Sequence, residues 1–352
     1  MLPILFFIGA ASIPAAGKTI SVDDSGGANY TSIQEAVSSA DDGDLILIYP
    51  GIYAENLKVY RELNLVSAAG PKSTFIISND PDADVLYVTA DNVRIDGFTV
   101  LGLLSDTGSI SENKWPDGPS GVFLDGANNC ELTNNTFAIN DIGISLQDSN
   151  NSNLHKNIAV RNYWDGIDLL NSNGCKLYQN LVAGNGRGIF IGNSTNSSLL
   201  SSSVLANNEG INLQASRDCF LEGNRICGNE LGIYVEEAKN NTLKNNILET
   251  NFIGVILKEA EENLFYENHF ASREQNAIDY GTNIWNSSVG NFWNDYSGKD
   301  ADKDGIGDTP YIINESTGSF DYRPLIGYSV LSSGSPEHNF TGNFSLSFPL
   351  RT

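Results

Sequence analysis

Between Gly121 and Tyr280 the chain repeats itself every 22 or 23 residues. The marker is a glycine followed by alternating apolar residues: Gly121-Val122-Phe123-Leu124, Gly143-Ile144-Ser145-Leu146, Gly166-Ile167-Asp168-Leu169 and Gly188-Ile189-Phe190-Ile191. It returns as Gly210-Ile211-Asn212-Leu213, Gly232-Ile233-Tyr234-Val235 and Gly254-Val255-Ile256-Leu257, and a degenerate copy, Ala277-Ile278-Asp279-Tyr280, closes the series. A fixed period of this size means stacked supersecondary units, none of which can bury its apolar face alone.

Each unit carries two or three apolar pieces of three or four residues. In the copy over 143–161, Ile144 and Leu146 alternate with Ser145 and Gln147, and Leu154 and Ile158 follow. Short pieces with period two are strands. A glycine and several asparagines per repeat would break the helices of a helical solenoid. The Asn, Ser, Gly and Asp between the pieces make turns, by accepting φ > 0 or bonding their own backbone. Laying one coil on the next, with parallel strands ~4.8 Å apart, gives an all-β, single-stranded parallel β-helix. Parallel connections make it right-handed. Asn135, Asn157, Asn180, Asn224, Asn246 and Asn268 recur in one turn, with Ser203 standing in once. Stacked amides there can bond along the column, as in cross-β ladders. Asn140, Asn162, Asn185, Asn207, Asn229 and Asn251 recur in another turn, which this pattern leaves open to solvent.

A solenoid spends 352 residues on one elongated body. Residues 1–17, apolar and then small, read as a secretory signal, too short to span a membrane comfortably. Residues 18–82 hold an N-terminal cap and the first coils. There Ser32 and Glu35 have capping-box spacing, and Ile33, Ala36 and Val37 form the apolar stripe of a short capping helix. Regular coils run over 83–282, interrupted by a Ser/Gly/Pro-rich insertion at 103–120 that contains Trp115. Residues 283–328 form a C-terminal cap, with the aromatic run Phe292-Trp293 sealing the core, and 329–352 a flexible tail. Cys130, Cys175 and Cys219 share one column in alternate coils, about 10 Å apart, beyond disulfide reach. Ten N-x-Ser/Thr sequons, among them Asn29 and Asn196, fit an exported chain weakly, because asparagine is so abundant. The net charge of −23 argues against nucleic acid and anionic membrane surfaces as partners. It leaves room for cations and sugars. No segment after the signal is apolar enough to span a membrane, and the oligomeric state is not encoded in any motif.

The order of motifs is particular. Ile33-Gln34-Glu35-Ala36 precedes a strand ending Tyr49-Pro50-Gly51-Ile52-Tyr53. The glycine-marked coils follow, then Gly290-Asn291-Phe292-Trp293-Asn294-Asp295-Tyr296 and the Asp-rich run from Asp300 to Tyr311. Over roughly residues 19–327 this resembles the NosD family of exported, pectin-lyase-like β-helix proteins. Their repeats belong to the wider group of carbohydrate-binding and sugar-hydrolase domains. The resemblance implies a cell-surface or periplasmic location. For the family's founding members it implies a role in copper-site maturation of nitrous oxide reductase.

Asp300, Asp302, Asp304 and Asp308, with Gly305 at the turn, follow the pattern Asp-x-Asp-x-Asp-Gly-x-x-Asp. Alternate carboxylates and the carbonyl of Ile306 can converge on a hard cation, so a structural Ca²⁺ is expected. Tyr311 stands where a sensor loop would carry its bidentate Glu. Copper finds few of the ligands it favours. The only Met is Met1, and His155 and His269 lie about five coils apart, on the order of 24 Å.

For sugar chemistry the outward position after each Gly-Ile pair offers Phe123, Ser145, Asp168, Phe190, Asn212 and Tyr234. The residue before the glycine offers Asp165, Arg187 and Glu209 in consecutive coils, beside Tyr163 and Trp164. Tyr163, Trp164, Phe190 and Tyr234 suit stacking on sugar rings. Asp165, Asp168, Arg187 and Glu209 can supply the acid and base of a hydrolase or lyase. The simpler reading of Asp165–Arg187–Glu209 is a salt-bridge ladder across coils. The leading expectation is an exported β-helix protein that binds polysaccharide or cell-envelope glycan or serves as an envelope scaffold. A polysaccharide lyase or glycoside hydrolase is the alternative, and a copper-site maturation factor is the second.

Overall fold

Marker residues of successive coils lie in register: Ile144 pairs with Ile167, Ile167 with Ile189, and Ile189 with Ile211. The computed structural model describes residues 17–103 and 118–327. The expected signal at 1–17, the body of the 103–120 insertion with Trp115, and the tail at 329–352 fall outside them, apart from a few boundary residues. Each regular coil contributes three strands, one to each of three parallel sheets. The sheets have twelve, ten and eleven strands, and every neighbour in a sheet comes from the coil above or below. The result is a right-handed parallel β-solenoid of about 12 turns. The glycine-marked strands, such as Ile142–Gln147 and Asp165–Leu170, build the ten-stranded sheet. Their inward residues are fully buried, and one continuous apolar core runs from Ile20 to Trp293.

Two asparagine columns run along this core. In the first, the Asn135 backbone N–H donates to Asn157 Oδ1 (3.1 Å), Asn157 repeats this to Asn180 (2.9 Å), and the series ends at Asn291. Each amide nitrogen also donates to an older coil's carbonyl, as Asn157 Nδ2 does to Leu132 O (2.7 Å). The residue just before the column has positive φ, including Lys156, Gln179 and Glu267. A left-handed residue with a side chain costs about 1–2 kcal/mol, which the ladder must outweigh. The member that replaces asparagine is Ser202, not Ser203. Its hydroxyl accepts from Asn180 N (3.1 Å) and its N–H donates to Asn224 Oδ1 (2.9 Å). Ser203 already belongs to the next strand, where it pairs with Leu181.

The second column does not face solvent. Asn140 through Asn251 are buried and bonded to one another coil by coil, as Asn207 Nδ2 is to Asn229 Oδ1 (3.1 Å). The marker glycine explains the burial. A Cβ at Gly210 would lie 2.4 Å from the Gly232 carbonyl and 3.0 Å from Asn229 Nδ2. The glycine therefore clears the space in which the amide sits. Cys130, Cys175 and Cys219 alternate with Ser152 and Ser197 in a third column and are free and buried, as is Cys227.

Both ends of the core are covered. The helix Ile33–Ser39 (α1) buries Ile33, Ala36 and Val37, and the Ser32 side chain caps it by accepting from Glu35 N. The reciprocal half of the capping box is replaced. Glu55 accepts from Ser32 Oγ, Ile33 N and Gln34 N, at 2.8–2.9 Å. At the other end Trp285 stacks on Phe265 (4.5 Å), Trp293 on Phe270 (4.4 Å), and Tyr311 on Trp293 (4.1 Å). An antiparallel pair, Tyr311–Asn314 with Ser319–Asp321, closes the cap. Buried Asp321 holds Trp293 Nε1 and Asn291 N there.

Candidate functional site

The outer face of the ten-stranded sheet carries one row of side chains fixed by strand register: Lys58, Tyr87, Phe123, Ser145, Asp168, Phe190, Asn212 and Tyr234. Over its first five members lies a groove of about 460 Å³. One side is built by the turn at Asp82–Asp84 and by Gly118–Ser120, stacked in neighbouring coils, and the other by Gln147 and Leu170. Those two segments are tied to each other, since Ser120 N–H donates to Asp84 Oδ1 (2.7 Å). Asn56 Nδ2 donates to the Ala83 and Asp84 carbonyls (3.1 and 2.8 Å). At the upper end Tyr60, Tyr87 and Phe123 form an aromatic group, with ring centroids 6.5 and 5.8 Å apart. Tyr87 donates to Asp125 Oδ2 (2.6 Å), and that bond, with burial, pushes its phenol up to about 12.

Asp168 closes the groove's lower end. It points outward in the strand and is still only 5% exposed. Its Oδ1 is buried without a hydrogen-bond partner. Burial, with the nearby Asp165 charge in support, pushes its carboxyl up to about 7. Asp165 itself is held bidentately by Arg187, at 2.7 and 2.8 Å. Burial pushes the Asp165 carboxyl up, and these two charge-assisted bonds pull against that. Glu209 accepts from Asn212 Nδ2 (3.0 Å). The expected cluster Asp165, Asp168, Arg187 and Glu209 is thus on one face. Asp165 and Arg187 form the rung of a salt-bridge ladder, while Asp168 stands beside it with an unused oxygen.

The aromatic candidates fare differently. The Arg187 guanidinium lies 3.8 Å over the Phe190 ring. That ring also fills the space above Gly192, where a Cβ would meet it at 2.5 Å. Phe190 is 8% exposed and offers no free face to a sugar. Tyr234 bonds Glu236 (2.9 Å), has Lys258 5.4 Å from its ring centroid, and sits three coils below Asp168. Tyr163 and Trp164 pack edge to face (4.8 Å) in the turn before Asp165, with Tyr163 exposed, and neither lines the groove. Sequence reasoning missed Lys58, Tyr60, Tyr87 and Asp84. Tyr87 occupies the repeat position of Phe123 in Val85-Leu86-Tyr87-Val88, but the insertion stretches the spacing between the two to 36 residues.

In the C-terminal loop the carboxylates of Asp300, Asp302 and Asp304 approach within 4.8 Å of one another. Gly305 (φ +88) makes the turn, and its N–H bonds Asp300 Oδ2 (3.0 Å). Ile306 N–H bonds Asp304 Oδ1 (2.8 Å), and Ile306 faces Leu325 in an isolated antiparallel bridge. The Asp308 carboxylate is turned to Ala301 N (2.9 Å), which ties the loop shut. Among the described residues this is the one group of three or more His, Cys, Asp or Glu within metal-holding reach, and its oxygens suit a hard cation. Among the described residues copper is not matched. His155 stacks on Tyr178 (3.8 Å) and His269 lies beside Glu249 (3.5 Å), coils apart. Burial pushes the thiols of Cys130, Cys175 and Cys219 up to about 11, away from the thiolate a soft metal needs.

Comparison with known proteins gives three kinds of likeness. Residues 49–218 and 166–298 match the model of the family described as "Periplasmic copper-binding protein (NosD)". A cell surface glycoprotein of Methanothermus fervidus is 28% identical over 139 residues, 39% of this chain and 20% of that protein. The chain therefore spans about a fifth of that relative's length. Among solved structures, the DFA-IIIase of Arthrobacter chlorophenolicus A6 superposes with a TM-score of 0.57 at 15% identity, over 81% of this chain and 96% of that one. The A-module of the Azotobacter vinelandii mannuronan C-5 epimerase AlgE6 superposes at 0.54 and 16% identity, over 74% of this chain and 86% of that one. At such identities the likeness is one of fold.

Proposed function

We propose that this chain, which belongs to the NosD family, is an exported cell-surface protein that binds carbohydrate in the groove of its ten-stranded sheet. One observation carries the reading. The groove joins an aromatic end at Tyr87 and Phe123, with Tyr60 packed on Tyr87, to the carboxyl of Asp168. Apolar rings with a few convergent polar groups are what a sugar site requires. The name of the Methanothermus relative supports the surface location, and the name of the mannuronan epimerase supports a glycan ligand. Among the described residues no helix is long and apolar enough to cross a membrane. The test is binding of the purified protein to a panel of soluble polysaccharides, with Tyr87→Ala and Asp168→Leu as controls. Retained binding in both variants would remove the groove from the argument.

A second reading, a glycoside hydrolase or lyase, is favoured by Asp168 alone. A carboxyl titrating near 7 is poised to give or take a proton at neutral pH. Chain shortening by the wild type, abolished in Asp168→Asn, would establish it. The Asp300–Asp304 loop is proposed to hold a structural Ca²⁺ that fastens the C-terminal cap. The copper role of the family's description is not carried to this chain, because among the described residues the imidazoles are dispersed and the thiols buried. Stoichiometric copper uptake by the purified protein would reverse that ranking.

A further inference from the structure

The groove also discriminates between classes of glycan. We infer that it takes an uncharged, hydroxyl-rich oligosaccharide lying along the solenoid axis, and rejects uronate chains. This rests on the carbohydrate reading above and adds the ligand's charge and direction.

The direction follows from register. Lys58, Tyr87, Phe123, Ser145 and Asp168 occupy five consecutive rungs of one row. They span roughly 19 Å at ~4.8 Å per rung. Asp82–Asp84 and Gly118–Ser120 border that row on the side where its strands begin, and Gln147 and Leu170 lie along the other. A linear ligand lying in the groove therefore runs down the stack, across the strands.

The charge follows from the lining. Its ionisable members are Lys58, Asp82, Asp84 and Asp168, three acids against one base. Burial raises the Asp84 carboxyl as well as that of Asp168. A uronate seated beside either would add a like charge where charge is already penalised. Asp168 Oδ1 is an acceptor without a donor. A sugar hydroxyl brings a donor to the Asp168 carboxyl, which lines the groove, without adding a second charge beside it. Arg187, the cation nearest Asp168, already gives two bonds to Asp165 and covers Phe190, so it is not available to a uronate. The chain's overall charge of −23 repels polyuronates at longer range too.

The experiment is titration calorimetry at pH 7.5 and physiological ionic strength. Neutral gluco-, manno- and galacto-oligosaccharides are compared with oligogalacturonate and oligomannuronate of equal length. The full chain is used, and then Asp168→Asn, which keeps size and an acceptor oxygen but loses the charge. The expected result is binding of at least one neutral series ten-fold or more tighter than either uronate. In Asp168→Asn that preference shrinks several-fold, with neutral binding retained. Uronates binding as tightly as neutral chains, or a preference unchanged in Asp168→Asn, overturns this inference and leaves the carbohydrate reading standing. Binding of neither class overturns both.

Discussion

Asp168→Asn is the sharpest perturbation this protein offers, because the substitution keeps shape and removes one buried charge. Burial raises the Asp168 carboxyl from its ordinary 3.8 to about 7. At about 1.4 kcal/mol per unit, ionising it in the folded chain costs on the order of 4 kcal/mol more than in the unfolded chain. The sign follows from proton counting. Below pH 4 both states hold the proton and no penalty exists. Between about 4 and 7 the folded state keeps a proton that the unfolded state has released, so stability falls as pH rises. Above 7 both are ionised and the full penalty is present. Asparagine carries none of it. The variant should match the wild type within about 1 kcal/mol at pH 4, then gain on it steadily and exceed it by about 4 kcal/mol at pH 8. Most substitutions cost stability, so a gain of that size is diagnostic. Urea unfolding followed by far-UV circular dichroism at pH 4, 5.5, 7 and 8 measures it. Asp84 and Asp321 are also raised by burial and give the wild type a slope of their own, which cancels in the difference between proteins. A gap that does not change with pH would show that Asp168 is not the buried, unpartnered acid described here.

The asparagine ladder gives a second test. Asn224→Ala strips Ser202 N–H of its acceptor and removes the donors to Leu199 O and Asn246 Oδ1, and should cost about 2–4 kcal/mol by denaturant unfolding. Asn224→Ser, which copies the solution at Ser202, should cost less. Glu55→Ala leaves the N–H groups of Ile33 and Gln34 unpaired at the start of α1, and should cost about 1–2 kcal/mol with early exchange of the helix amides. Millimolar Ca²⁺ should raise the midpoint of cap unfolding, read from Trp285 and Trp293 fluorescence. Chelation, or the pair Asp300→Asn and Asp302→Asn, should abolish the shift, and a midpoint indifferent to Ca²⁺ would count against the metal.

Much of the fold could be read in advance because the solenoid repeats each physical constraint coil after coil. A glycine that must clear a neighbour's carbonyl, an inward aliphatic pair and a turn asparagine each recur at one spacing, and recurrence separates them from chance. The misreadings fall where that logic weakens. Sequence does not separate Ser202 from Ser203, because serine at the ladder position is flanked by serines, and only the bond to Asn180 N tells them apart. The burial of the second asparagine column is not legible because it depends on a missing atom, the Cβ of the marker glycine in the preceding coil. Phe190 looked like a sugar platform because periodicity says which face a residue is on, and nothing about Arg187 lying across it. The groove's upper half lies beyond an insertion: Val85-Leu86-Tyr87-Val88 matches the repeat's strand in sequence, but the 36-residue gap does not show that Tyr87 stacks directly on Phe123.

The outward row is where a solenoid has freedom. The inward positions must be aliphatic and the ladder positions must bond along the stack, so neither can change without loss of the fold. An outward position adapted only for stability would neutralise any charge it buried, as Asp165 does with Arg187, two bonds for two oxygens. Asp168, three residues along the same strand, does not. Its charge is buried without a partner for Oδ1, beside a ladder in which the means of pairing charge are already present. We read a residue that costs the fold this much as a mark of function. On that ground the groove above Asp168, and not the charge ladder beside it, is the surface we propose for ligand binding.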